Sequence, residues 1–124
     1  TVSAVHRPVV IISSNAEKEL PDAFLRRCVF HYISFPDREM MERIVAVHYP
    51  ELDRELLEAA IVRFYELRGI AGLRKKPSTS EFIDWLFVLM RGGIEPGEVA
   101  MRVPLLGALI KQEADLELVA KRLA

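Results

Sequence analysis

Residues 37–93 read DREMMERIVAVHYPELDRELLEAAIVRFYELRGIAGLRKKPSTSEFIDWLFVLMRGG, and this stretch decides the fold class. Asp37 is suited to cap a helix whose apolar positions Met40, Met41, Ile44 and Val45 recur at helical spacing, with a stop near Pro50. Asp53 is suited to cap the next, carrying Leu56, Leu57, Ala60, Ile61, Phe64 and Leu67 on one stripe and ending at Gly69. The third start is the best signed. Ser78-Thr79-Ser80-Glu81 forms a capping box ahead of Phe82, Ile83, Trp85, Leu86 and Leu89, with Gly92-Gly93 at the exit. Amphipathic helices in series predict a small bundle and a mainly α chain. Beyond them Pro96-Gly97 reads as a loop, Pro104 opens a short apolar helix through Ile110, and residues 116–123 form a weaker helical stretch.

Upstream the pattern differs. Pro8-Val9-Val10-Ile11-Ile12-Ser13-Ser14-Asn15 is a β-branched run without polar alternation, which predicts a strand buried on both faces. Val29-Phe30-His31-Tyr32-Ile33-Ser34-Phe35 predicts a second strand, closed by Pro36-Asp37. Between them residues 20–27 read as a short helix with Pro21 at its first position. Strand, helix, strand suggests part of a parallel α/β layer. Two such strands cannot cover their own faces and edges, so further sequence upstream is expected.

Composition narrows the classes. Hydrophobic residues make up 51% and charged residues 28%, which is globular rather than disordered. Lys and Arg number 17 against 18 Asp and Glu, and the net charge of −1 argues against a nucleic-acid-binding surface. No apolar run reaches the roughly 18 residues of a spanning helix, and residues 1–12 lack the layout of a secretion signal. A cytoplasmic location is therefore expected. The single Cys28 has no partner for an internal disulfide, which agrees with a reducing compartment.

Two strings carry a resemblance. VVIISSNAEKELPDAFLRRCVFHYISFPD resembles the sensor-1 strand, arginine-finger helix and last core strand of MoxR-family AAA+ ATPases, and LRKKPSTSEFIDWL resembles the start of that family's sensor-2 helix in the helical lid. The match runs from about Pro8 to Gly93, in order, with lid-like helices between. It implies a mainly α chain: an AAA+ helical lid bundle over 37–95, preceded by a two-strand α/β remnant of the P-loop ATPase core over 1–36; the tail over 96–124 lies beyond the match and is read as helical from its own pattern. The parent protein would bind and hydrolyse ATP with magnesium in a ring, expected as a hexamer, and act chaperone-like to remodel or mature client proteins. This C-terminal portion has no G-x-x-x-x-G-K-[ST] loop and no strand ending in paired acids for magnesium, so alone it is expected to be inactive and to need no cofactor. Its uncovered strands are expected to self-associate. A free-standing helical protein-interaction module is the alternative from another class, suited by the same amphipathic helices.

The resemblance also assigns roles. Asn15 would be sensor 1, holding water against the terminal phosphate; without the family it reads as a turn residue. Arg27 would be the finger reaching a neighbouring subunit's site, where its planar charge stabilises phosphoryl transfer. Its neighbour Arg26 stands where the family often has an acid, and on spacing alone both arginines read as a solvated helix end. Arg74, Lys75 and Lys76 precede a helix N-terminus, a place that attracts anions, although charge runs are commonly just solvated. Ser80 stands where the usual sensor-2 arginine would be, so one of those three cations would substitute. His6, His31 and His48 lack metal-ligand spacing, and Cys28 reads as a small core residue.

Overall fold

Three side-chain caps set where the helices begin. In the computed structural model, which describes residues 1–14 and 20–123, Asp37 accepts from the Met40 amide at 2.8 Å and starts α1 (Arg38–His48). Asp53 accepts from the Leu56 amide at 3.2 Å and starts α2 (Arg54–Arg68). Ser78 and Glu81 exchange both bonds of a capping box, at 3.2 and 3.3 Å, and start α3 (Thr79–Arg91). Each cap removes an orphan amide and contributes about 1 kcal/mol. The three predicted starts are thus met residue for residue.

The exits use different devices. Helix α2 ends on Gly69 in ordinary right-handed geometry. Helix α3 ends in a Schellman turn, with the Ile94 amide on the Leu89 carbonyl at 3.1 Å and the Gly93 amide on Met90 at 3.2 Å. Gly93 there has φ +62, which a residue with a Cβ adopts only under strain.

The chain divides into two units, Thr1–Ser34 and Phe35–Ala124. The second has one core. Met41 and Val45 from α1, Phe64 and Leu67 from α2, and Phe82, Trp85, Leu86 and Leu89 from α3 are all 1% exposed or less. Phe64 and Phe82 meet with ring centroids 4.4 Å apart, close enough to add to their burial. Residues beyond Gly93 complete this core. The Pro96-Gly97 dipeptide read as a loop is instead the first turn of a helix, α4 (Pro96–Met101), because Pro suits the first helical position and Val99 is drawn into the core. This helix lies along α2, where Arg63 Nε donates to the Val99 carbonyl at 3.0 Å. The apolar stretch after Pro104 tightens into a 3-10 turn at Leu106–Ala108, entered through Leu105 in the left-handed region at φ +55. The last helix, α5 (Glu113–Leu123), contributes Val119. Trp85 joins these parts by donating from Nε1 to the Pro104 carbonyl at 2.8 Å.

In the first unit the expected short helix forms over Asp22–Leu25, with Pro21 preceding it and its carbonyl accepting from the Phe24 and Leu25 amides. The two expected strands do not form among the described residues. Val9, Ile11, Val29 and Ile33 are 81% exposed or more. An apolar run becomes a strand only when a neighbour takes its amides and carbonyls, and no such ladder is present among the described residues. No helix among the described residues is long and apolar enough to cross a membrane.

Candidate anion-binding loop

Arg74, Lys75 and Lys76 lie in the loop between α2 and α3, and Ser80 lies in the first turn of α3. After Gly69 the chain turns at Gly72, whose φ of +91 favours glycine and whose missing Cβ would sit 3.4 Å from Leu118 Cδ2 on α5. The loop therefore lies directly on the last helix. Asp115, in the first turn of α5 and 2% exposed, accepts from the Arg74 amide at 2.8 Å through Oδ1 and from the Lys75 amide at 3.1 Å through Oδ2. An acid in a first helical turn is also favoured by the helix dipole. Both oxygens of this charge, the one buried charged side chain among the described residues, thus clamp the cationic segment.

The cations then part ways. Lys75 Nζ lies 3.6 Å from Glu81 Oε1, so its charge is partly spent on the carboxylate that also closes the capping box. Arg74 and Lys76 are exposed, and neither side chain has an ion pair among the described residues. Ser80 is exposed in the first turn of α3, just beyond the loop. Along the chain this gives two exposed cations without an ion pair among the described residues, followed by the exposed Ser80 at the start of α3.

A second clamp holds the loop's far end. Arg68, in the last turn of α2, donates through Nη1 to the Pro77 carbonyl, and its guanidinium carbon lies 3.4 Å from the centre of the Phe35 ring. Burial pushes the Arg68 guanidinium below its ordinary value, with the Tyr65 hydroxyl opposing. Tyr65 donates to the Pro36 carbonyl at 2.6 Å. Its phenol is pushed up, first by burial and then by the charge of Asp37, against the influence of Arg68 and Arg38.

The other expected site residues stand apart. Asn15 lies outside the described residues. Arg27 belongs to the first unit, exposed in the turn after the short helix, where its amide donates to the Phe24 carbonyl at 3.1 Å and Arg26 adjoins it. Among the described residues no group of three or more His, Cys, Asp or Glu side chains is gathered as metal ligands. Cys28 is exposed rather than in a core, because residues 26–30 form no packed element.

Reading the sequence missed Asp115 and Arg68. By position Arg68 is a cation in a last helical turn and Asp115 an acid in a first helical turn, each common in such places. Neither carries a short-range signal, since the Asp115–Arg74 bond spans 41 positions. Comparison of the chain with family models, with curated proteins and with solved structures found no match.

Proposed function

We propose that this chain is the sensor-1-to-lid portion of a MoxR-type AAA+ ATPase, in which the loop at Arg74–Lys76 meets the phosphates of ATP and Arg27 acts as the finger for a neighbouring subunit. What carries the reading is the order of features in one chain: the VVIISSN and LRRCVF strings, then capped helices α1 and α2, then a cationic loop leading into the capping box of α3. The loop suits a polyphosphate because Arg74 and Lys76 remain uncommitted while its backbone is held from below by Asp115. ATP, when bound, supplies the phosphoryl group and the free energy of its transfer. This chain's residues would contribute charge and hydrogen bonds: Arg74 and Lys76 as cations against phosphate oxygens, Arg27 as a cation against the charge that develops during transfer, and the neutral Asn15 amide as a hydrogen-bonding group toward the attacking water.

The remodelling of client proteins, a ring of six and the use of magnesium belong to the same proposal. Arg27 decides it. In the intact ATPase, Arg27→Ala should lower turnover by about three orders of magnitude or more while nucleotide binding is nearly kept, and Arg26→Ala should do much less. Mixing Arg27→Ala protein with protein disabled in its phosphate loop should restore part of the rate, because mixed interfaces pair an intact loop with an intact arginine. Mixed rings that assemble normally and recover nothing at any ratio would refute the finger assignment.

A further inference from the structure

Loops ahead of helices commonly bind phosphate through backbone amides. Here several of those donors are taken. The Arg74 and Lys75 amides are on Asp115, the Ser78 amide is on Glu81, and the Glu81 amide is on Ser78 Oγ. Two carboxylates of the protein therefore occupy donors that an incoming anion would otherwise use, and the side chains are left to do the binding.

We propose that Asp115 is a positioning residue for polyphosphate capture, so that the last helix of the chain is a working part of the site. The inference rests on reading the loop as a phosphate site. Asp115 is anchored in the core, with 2% exposure and with Leu118 of the same helix against Gly72. By taking both amides it fixes the backbone from which Arg74 and Lys76 project, so these long side chains start from a set base and less order must be gained when the ligand arrives. The carboxylate also places a negative charge directly beneath the loop backbone, which by itself would weaken the binding of an anion there. These two effects have opposite signs, and one substitution separates them. Asp115→Asn removes the charge and keeps the size, but turns an amide that cannot accept toward one of the two backbone donors. If charge alone mattered, the variant would bind polyphosphate more tightly. If positioning matters, it binds less tightly.

The experiment is isothermal titration calorimetry of the 124-residue chain with inorganic tripolyphosphate at low ionic strength, where exposed charges are least screened. Arg74→Ala and Lys76→Ala should each weaken binding about fivefold, as for the loss of one exposed charge pair. Asp115→Asn should cause a loss of similar size. The double variant Asp115→Asn with Lys76→Ala should lose less than the product of the two, because a misdirected lysine has little left to forfeit. A purely structural role would lower the melting temperature and leave the affinity of folded molecules unchanged. Should Asp115→Asn fail to fold by circular dichroism, Gly72→Ala decides the matter: it strains the loop at φ +91 with Asp115 and its charge in place, and the same loss is expected. Unchanged or tighter binding by the folded aspartate variant, while Lys76→Ala weakens it, overturns the positioning role and leaves the phosphate reading standing. Binding unaffected by both Arg74→Ala and Lys76→Ala removes the two together.

Discussion

Trp85→Phe tests the packing most sharply. Trp85 is fully buried, and its Nε1 donates to the Pro104 carbonyl at 2.8 Å from the centre of α3. Phenylalanine keeps an aromatic ring but loses the donor, and Pro104 is itself buried, so its carbonyl is left without a partner. Stranding that group costs about 1–3 kcal/mol. The volume vacated beside Phe82, whose ring centroid lies 6.1 Å from the indole, adds about 1 kcal/mol of lost transfer and cavity terms. The expected destabilisation is therefore about 3 kcal/mol, a large part of what a small domain has, and corresponds to a fall in Tm of roughly 12–24 °C. Far-UV circular dichroism against temperature and urea would measure it. Trp85 is the protein's one tryptophan, so wild-type emission should be that of a buried indole and should shift red in the same transition. A loss below about 1 kcal/mol, with an unchanged urea slope, would mean that the indole is not bonded to Pro104 and that the Leu106–Ala108 turn packs some other way.

Other outcomes follow from features on the same helices. Asp37→Ala, Asp53→Ala and Ser78→Ala should each cost about 1 kcal/mol, the last taking the Glu81 side of the box with it, and urea midpoints within error of wild type would deny the caps. Tyr65 gives a pH signature. Its folded pKa is raised above the ordinary 10.0, so its contribution is present in full below pH 10.0 and is lost as pH climbs through the folded value. Tyr65→Phe should flatten that alkaline decline and cost about 1 kcal/mol at neutral pH through the bond to Pro36, and an unchanged alkaline midpoint would place the cause elsewhere.

The parts of the fold legible in the sequence are those governed by contacts within a few residues. Asp37, Asp53 and Ser78 each bond an amide three positions on, so a pattern of capping residue and apolar stripe suffices to find α1, α2 and α3. Pro96-Gly97 misleads because the dipeptide serves a turn and a helix's first positions equally, and only the burial of Val99 against α2 chooses. The β-branched runs at Val9–Ile12 and Val29–Ile33 report apolarity alone. Strand formation depends on a distant partner, which a local pattern does not supply. For the candidate site, the cations Arg74, Lys75 and Lys76 could be read directly, but their inequality could not. Lys75 is set apart by Glu81 on the next helix, and Arg74 and Lys75 are held through Asp115, far along the chain.

Arg68 ties the first residue of the second unit to the cationic loop. Its guanidinium sits over the ring of Phe35, the first residue of that unit, and the same group grips the Pro77 carbonyl where the cationic loop runs into α3. A rivet through two plates transmits load. Tension applied to the chain at Phe35 is borne by the Arg68 side chain, which also grips Pro77, together with the rings of Phe64 and Tyr65, so the segment at Phe35 and the loop are linked as one mechanical element. In a pulling experiment from the N-terminal side, the first extension to appear should release Phe35 and the loop together, and a lysine at position 68, which has no planar face to lie on the ring, should let them part in two steps.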